Sequence, residues 1–142
     1  VSQLLDTNVL SEIRKKQPDP GVLEWFATVR ASELFVSLLV IGEIRQGVDR
    51  LARRDAAQAD VFDRWLRQLT TVYGDRIVPI TTEIAEEWGR LNVPDRLPVV
   101  DGLLAATALV KDWTLVTRNT ADVESTGVKL LNPFGTAQTS KR

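Results

Sequence analysis

Leu4-Leu5-Asp6-Thr7-Asn8-Val9-Leu10-Ser11-Glu12 decides how the rest of the chain is read. Two apolar residues run up to a carboxylate, and the small polar pair Thr7-Asn8 leads into residues with helical spacing. That pattern predicts a buried strand ending at Asp6 and a helix starting just beyond it. In an open α/β sheet the carboxyl ends of the strands face the functional crevice. A helix starting there adds backbone N–H groups that favour negative charge or phosphate nearby. Taken alone, Asp6 has a simpler account as an N-cap, for which Asp is among the preferred residues. The acids further along decide between the two.

Strands and helices alternate outward from this stretch. A helix is expected over about 8–16, with Val9, Leu10 and Ile13 on one face and Arg14-Lys15-Lys16 in the last turn, where cations suit the dipole. Pro20-Gly21 opens a second helix with Val22, Leu23, Phe26 and Val29 turned to the core. Leu34-Phe35-Val36-Ser37 is a second buried strand. The helix after it carries a stripe of Val40, Ile44, Val48 and Leu51, with Gly47 allowing close approach and Glu43 at the stripe's edge. Residues 56–69 form an amphipathic helix with Val61, Trp65, Leu66 and Leu69 inward. Residues 76–80 form a third strand, with Pro79 marking an edge or an end.

Thr81 or Thr82 caps a helix that buries Ile84, Ala85, Trp88 and Leu91. From Gly102 to Val110 no residue is charged, the pattern of a helix buried almost all round, and Asp101 stands at its start. Residues 113–117 form the fourth strand, Arg118 to Asp122 the polar loop beyond it, and 128–131 a last strand. Each strand-helix-strand crossover returns the chain in the same direction. The expected fold is therefore a single α/β domain over 1–134, with a mainly parallel sheet flanked by helices and a disordered tail at 135–142.

Composition narrows the chemistry. At 142 residues and 44% hydrophobic content, the chain fits one core that buries roughly two-thirds of the unfolded surface. Its longest apolar run, 34–41, is far short of the ~18 residues a membrane helix needs. Asp6 and Glu12 spoil a signal-peptide reading, so a cytoplasmic protein with no membrane partner is expected. The absence of Cys agrees with a reducing compartment. The absence of both His and Cys excludes the usual zinc sites, the Ser-His-Asp triad, thiol nucleophiles and His acid–base catalysis. What remains is oxygen ligands, Lys and Arg, and abundant carboxylates point to a hard cation, Mg²⁺ or Mn²⁺. The net charge of −1 gives no global attraction for nucleic acid, so any such binding needs a local basic patch.

If the first and fourth strands are neighbours, Asp6 and Asp122 meet at the rim, and the two buried helices can bring Glu43 and Asp101 to the same place. Two carboxylates ~5 Å apart repel by about 3 kcal/mol at an effective dielectric near 20. Several such pairs rival the stability of a whole domain. Either some acids take up protons or a cation sits among them. A bound divalent ion lowers the pKa of water and offsets charge on a phosphate, so phosphodiester hydrolysis is the natural reaction.

The segments Leu5-Asp6-Thr7-Asn8-Val9-Leu10-Ser11-Glu12, Gly42-Glu43-Ile44, Asp101 opening an Ala-rich helix, and Thr117-Arg118-Asn119 followed by Asp122 together resemble the PIN-domain proteins. The likeness runs from Leu4 to Phe134 and is strongest to the VapC-type toxins of bacterial toxin–antitoxin pairs. It implies a Mg²⁺-dependent endoribonuclease, with Mn²⁺ able to substitute, held inactive by a cognate antitoxin. A homodimer, within a larger toxin–antitoxin assembly, is also implied. Carried over by position, the catalytic and metal-holding acids are Asp6, Glu43, Asp101 and Asp122, with Asp6 and Asp101 as direct ligands. Asn119, Thr7 and Asn8 then orient carboxylates or water, and Arg45, Arg50 and Arg118 are candidates for RNA phosphates. One departure is Val123, where Phe often follows the last acid in this family. The chain also opens on Val and contains no Met, which fits an alternative start or trimming.

Rival readings are weaker. A receiver-like regulatory module would have paired acids before its first-strand Asp and a Lys beyond a late strand, where Ser2-Gln3 and Arg118 stand. A dehalogenase-like phosphatase would have Asp-x-Asp, whereas Asp6-Thr7-Asn8 lacks the second acid. An inactive relative kept as a binding partner is at odds with all four acids being present.

Overall fold

Strand β1 (Gln3–Leu5) occupies the centre of the sheet. Its Leu4 and Leu5 point to opposite faces and both are fully buried, as a strand covered on both sides requires. It pairs in parallel with β2 (Leu34–Ser37) on one side and β4 (Thr114–Val116) on the other, with Leu4 opposite both Phe35 and Leu115. β3 (Ile77–Val78) lies outside β2 and β5 (Leu130–Leu131) outside β4, giving a five-stranded parallel sheet in the order β3-β2-β1-β4-β5. The computed structural model describes residues 1–135. Apart from Gly135, the tail expected at 135–142 lies outside the described residues.

The six helices fill the crossovers. α1 (Thr7–Ile13) and α2 (Pro20–Phe26) link β1 to β2, α3 (Leu38–Ala52) and α4 (Ala56–Tyr73) link β2 to β3, and α5 (Thr82–Leu91) and α6 (Val99–Lys111) link β3 to β4. From β1 the chain winds outward through β2 and β3, then crosses back to β4 and β5. The order therefore reverses between β1 and β4, which is where an open α/β sheet leaves a crevice at its carboxyl end. Right-handed crossovers put α1 to α4 on one face and α5 and α6 on the other. No helix among the described residues is long and apolar enough to cross a membrane.

One core joins Leu4 and Leu5 to Val40, Ile44 and Val48 of α3, Leu66 and Leu69 of α4 and Leu104 and Ala105 of α6. Each such Leu contributes about 1.5–3 kcal/mol when fully buried. The uncharged run in α6 is enclosed as expected, with Leu104, Ala105, Ala106 and Ala108 fully buried. Gly102 makes room there, because a Cβ would stand 3.3 Å from both the Trp88 ring and Leu97, which would have to give by a few tenths of an ångström. Trp88 of α5 thus lies directly against the first turn of α6, beside Asp101. Val123 is 1% exposed and fills the core where a Phe was the alternative.

Several expectations are corrected. α1 stops at Ile13, so Arg14-Lys15-Lys16 lie beyond the helix; the Arg14 guanidinium instead rests 4.0 Å over the Phe62 ring and 5.5 Å from that of Trp65. Leu23 is 51% exposed and Phe26 37%, because a helix of only seven residues buries a narrow strip, here Gly21 and Val22. α4 continues to Tyr73 and leaves Val61 exposed, while Ala85 is exposed on α5. Nothing comes within 4 Å of a Cβ on Gly47, so that glycine opens a surface and does not permit a close contact. The edge strands are shorter than the apolar runs that announce them, two residues each.

Candidate active site

Asp6 is both things its sequence context allows. It caps α1 with extended backbone, φ −78° and ψ 160°, and its Oδ1 accepts the Thr7 N–H at 2.6 Å. The other oxygen, Oδ2, accepts the Thr117 hydroxyl at 2.7 Å and the Asn8 side-chain amide at 3.4 Å. The β1–β4 register sets the first of these contacts: Leu5 pairs with Val116, so the next residue of each strand emerges at the same rim. Burial pushes the Asp6 carboxyl upward in pKa, and the Thr117 hydroxyl and Thr7 N–H partly oppose it.

Glu43 projects from the second turn of α3, where the Thr7 hydroxyl donates to its Oε1 at 2.6 Å. Asp101, in the first turn of α6, has its pKa raised to about 6. Desolvation is the main cause, followed by the negative charges of Asp6 and Asp122, a hydrogen bond to Asp122, and the charge of Glu43. Asp6, Glu43 and Asp122, drawn from three other stretches of chain, are thus all close enough to act on Asp101 at the β1–β4 switch. Among the described residues none of them has an ion-pair partner.

Asp6, Glu43 and Asp101 line an open cleft of about 400 Å³ together with Thr7, Asn8, Gln46, Gly47, Arg50 and Asn119. Asp122 sits just outside it, exposed, in a short 3-10 turn after β4. The Asn119 N–H donates to the Thr117 hydroxyl at 3.0 Å, and Asn8 Oδ1 accepts the Arg118 N–H at 3.2 Å. These bonds lace the end of β4 to the start of α1.

Of the three arginines, Arg50 lines the cleft and Arg118 leaves the rim beside it. Arg45 does neither. It is taken up by Asp63 at 2.6 Å and Asp49 at 3.5 Å on the outer side of α3. Thr117 is the contact the sequence reading missed. It is 1% exposed and stands one position past an apolar strand, the same signal that drew attention to Asp6.

All potential ligands here are oxygen, the donor set of a hard divalent cation. Asp6 and Asp101 both line the cleft, and the Asp101 pKa is raised first by burial and then by the neighbouring negative charges. Among the described residues no three carboxylates are gathered tightly enough to form a ready-made cage.

Comparison with known proteins agrees with this fold. The chain is similar to the VapC ribonuclease Y4jK of Sinorhizobium fredii, 27% identical over 137 residues covering 92% of this chain and 96% of that protein. It is 26% identical to the toxin FitB of Neisseria gonorrhoeae over 136 residues, 92% of this chain and 97% of FitB. The crystal structure of FitAcB from Neisseria gonorrhoeae superposes with a TM-score of 0.84 at 28% identity, covering 92% of this chain and 97% of that one. The PIN domain family model matches residues 4–126, from the central strand through the turn that carries Asp122. This chain belongs to the PIN domain family.

Proposed function

We propose that this chain is a divalent-metal-dependent endoribonuclease, the toxin of a toxin–antitoxin pair, acting in the cytoplasm on RNA phosphodiester bonds in the cleft of Asp6, Glu43 and Asp101, with Asp122 beside it. The observation that carries this reading is the cleft at the β1–β4 switch that Asp6, Glu43 and Asp101 line together, with Asp122 close enough to act on Asp101 and no ion-pair partner for any of the four among the described residues. The names of the relatives, a VapC ribonuclease and a toxin, support it.

Asp6 and Asp101 would hold Mg²⁺, or Mn²⁺ in its place, with Glu43 and Asp122 completing the negative field. When bound, the ion lowers the pKa of water and offsets charge on the phosphate. The chain's own groups set the geometry. Thr117, Thr7 and Asn8 fix the orientation of Asp6, Thr7 fixes Glu43, and Arg50 faces the incoming phosphate backbone. Asn119 lines the cleft where a water or a carboxylate can be oriented.

An antitoxin has a surface available. Two apolar grooves meet at Trp65, one of about 220 Å³ beside Leu10, Phe26 and Val72, the other of about 310 Å³ running between α1, α3 and α4 to Thr7 and Glu43. An amphipathic segment laid along them would reach the acids. Exposed Val93, in the loop after α5, and Val99, the first residue of α6, are apolar surface that a homodimer could cover, as part of a larger toxin–antitoxin assembly.

The test is cleavage of single-stranded RNA by the purified chain with Mg²⁺, Mn²⁺ or EDTA. Cleavage is expected with either metal and none with EDTA. Asp6→Asn and Asp101→Asn should each lose more activity than the about 10- to 100-fold typical of an outer-shell partner. Undiminished cleavage by either variant removes that residue from the mechanism.

A further inference from the structure

Arg118 emerges where β4 ends, between Thr117, which holds Asp6, and Asn119, which lines the cleft. Its N–H is tied to Asn8, but its side chain runs the other way, and its guanidinium carbon sits 4.5 Å from the centre of the Phe134 ring. Phe134 is fixed in turn. Its N–H donates to Asn132 Oδ1 at 3.0 Å, and the next N–H, of Gly135, donates to Asp19 Oδ1 at 2.9 Å. That same Asp19 oxygen accepts from Gly21 at 2.8 Å and Val22 at 3.3 Å at the start of α2. The chain after β5 is thus clipped to α2 in a way that presents an aromatic face to Arg118.

Stacking on its flat face restrains a guanidinium while leaving its in-plane N–H donors free for a ligand. Among the described residues Arg118 makes no ion pair within 4 Å and is exposed, although its charge reaches the Asp19 carboxyl, whose pKa is lowered first by the Gly135 N–H and more weakly by Arg118. Arg50 reaches the cleft from α3, on the β2 side of β1, whereas Arg118 leaves from β4 on the opposite side. Asp6, at the end of β1, lies between them.

We propose that Arg118, oriented by Phe134, is a second RNA-phosphate contact, so that the strand crosses the cleft from Arg50 to Arg118 with the reacting phosphate over the acids. Phe134 is a positioning residue in this arrangement and touches no substrate. The proposal rests on the nuclease reading and extends it by giving the RNA a direction across the sheet.

The test measures binding of a fluorescein-labelled single-stranded RNA to the Asp101→Asn protein by anisotropy over a range of salt concentrations. Adding Arg118→Ala should weaken binding about fivefold and flatten the slope of log K against log salt by about 0.7, the loss of one single-strand phosphate contact. In the otherwise unsubstituted enzyme, Phe134→Leu keeps apolar bulk but removes the ring; KM should rise about two- to threefold with kcat little changed, in the range of an exposed cation–π contact. Phe134→Tyr should restore KM. A purely structural role would appear instead as a lowered melting temperature with kcat and KM moving together, and that result overturns the proposal. So does an unchanged salt slope in Arg118→Ala while the parent enzyme cuts RNA. A parent that neither binds nor cuts RNA removes the nuclease reading and this contact with it.

Discussion

The Thr117 hydroxyl donates to Asp6 Oδ2 at 2.7 Å, joining residues 111 positions apart across the β1–β4 junction. Both side chains are almost completely buried, at 1% and 5% exposure. A hydrogen bond to a charged group of this kind is worth about 1.5–3 kcal/mol. It also opposes the burial that favours a neutral Asp6.

Thr117→Val keeps the shape and removes the donor. The expected result is a 10- to 100-fold loss of metal affinity and of RNA cleavage, the usual cost of losing an outer-shell partner. Thr117→Ser should recover most of both. Calorimetric titration with Mn²⁺ alongside a cleavage assay checks this, and wild-type affinity in Thr117→Val would show that Asp6 is oriented by Thr7 and Asn8 alone.

Asp101 gives a pH prediction whose sign follows from its raised pKa, about 6 against the ordinary 3.8. Between those values the folded chain holds a proton that the unfolded chain has released. Without metal, the contribution of Asp101 to stability is therefore full below about pH 4 and is lost as pH rises through about 6. Asp6 is shifted in the same direction. Asp101→Asn removes the repulsion, so in EDTA its melting temperature should exceed that of the parent by a margin that widens from pH 4 to pH 7. Adding Mg²⁺ should reverse the order above pH 6, since only the carboxylate form of the parent gains from the ion. Melting curves that stay parallel across this range would contradict the electrostatic account.

The arginines of α3 separate cleanly. Arg50→Ala should weaken RNA binding and flatten its salt dependence by about 0.7 to 1 unit of slope. Arg45→Ala should leave both unchanged, because Arg45 is occupied by Asp63 and Asp49 on the outer face. Its loss should alter stability little, as for exposed ion pairs generally. Equal effects of the two substitutions on the salt slope would mean that RNA spreads over the whole outer face of α3.

What was legible in the sequence was whatever depends on local pattern. An apolar run ending in Asp6 fixes a strand and its rim, and an uncharged helix behind Asp101 fixes deep burial of that helix. Strand alternation then yields a parallel sheet, but the placing of β1 beside β4 enters only as a condition, which the observed pairing meets. What was not legible depends on which distant surface comes to cover a residue. Helical spacing groups Val22 with Phe26 but says nothing of whether a neighbour reaches both, and only Val22 is covered. Arg14 fits a helix end by local rules, yet Phe62 and Trp65, on α4, draw it out as a tertiary contact. Arg45 and Arg50 look alike along the chain, and only the position of Asp63 on α4 separates them. Thr117 was legible in principle, as a hydroxyl one step past a buried strand, but acids at strand ends carry the stronger signal.

The central claim is that the acids at the β1–β4 switch gather around a divalent ion. Its most direct measurement is an anomalous difference map from crystals grown in Mn²⁺ at a concentration that supports RNA cleavage. The account predicts density in the cleft between the Asp6 and Asp101 carboxylates in the parent, and its loss in Asp101→Asn. An empty cleft in the parent at that concentration, or density only at other acids of the surface, would contradict it.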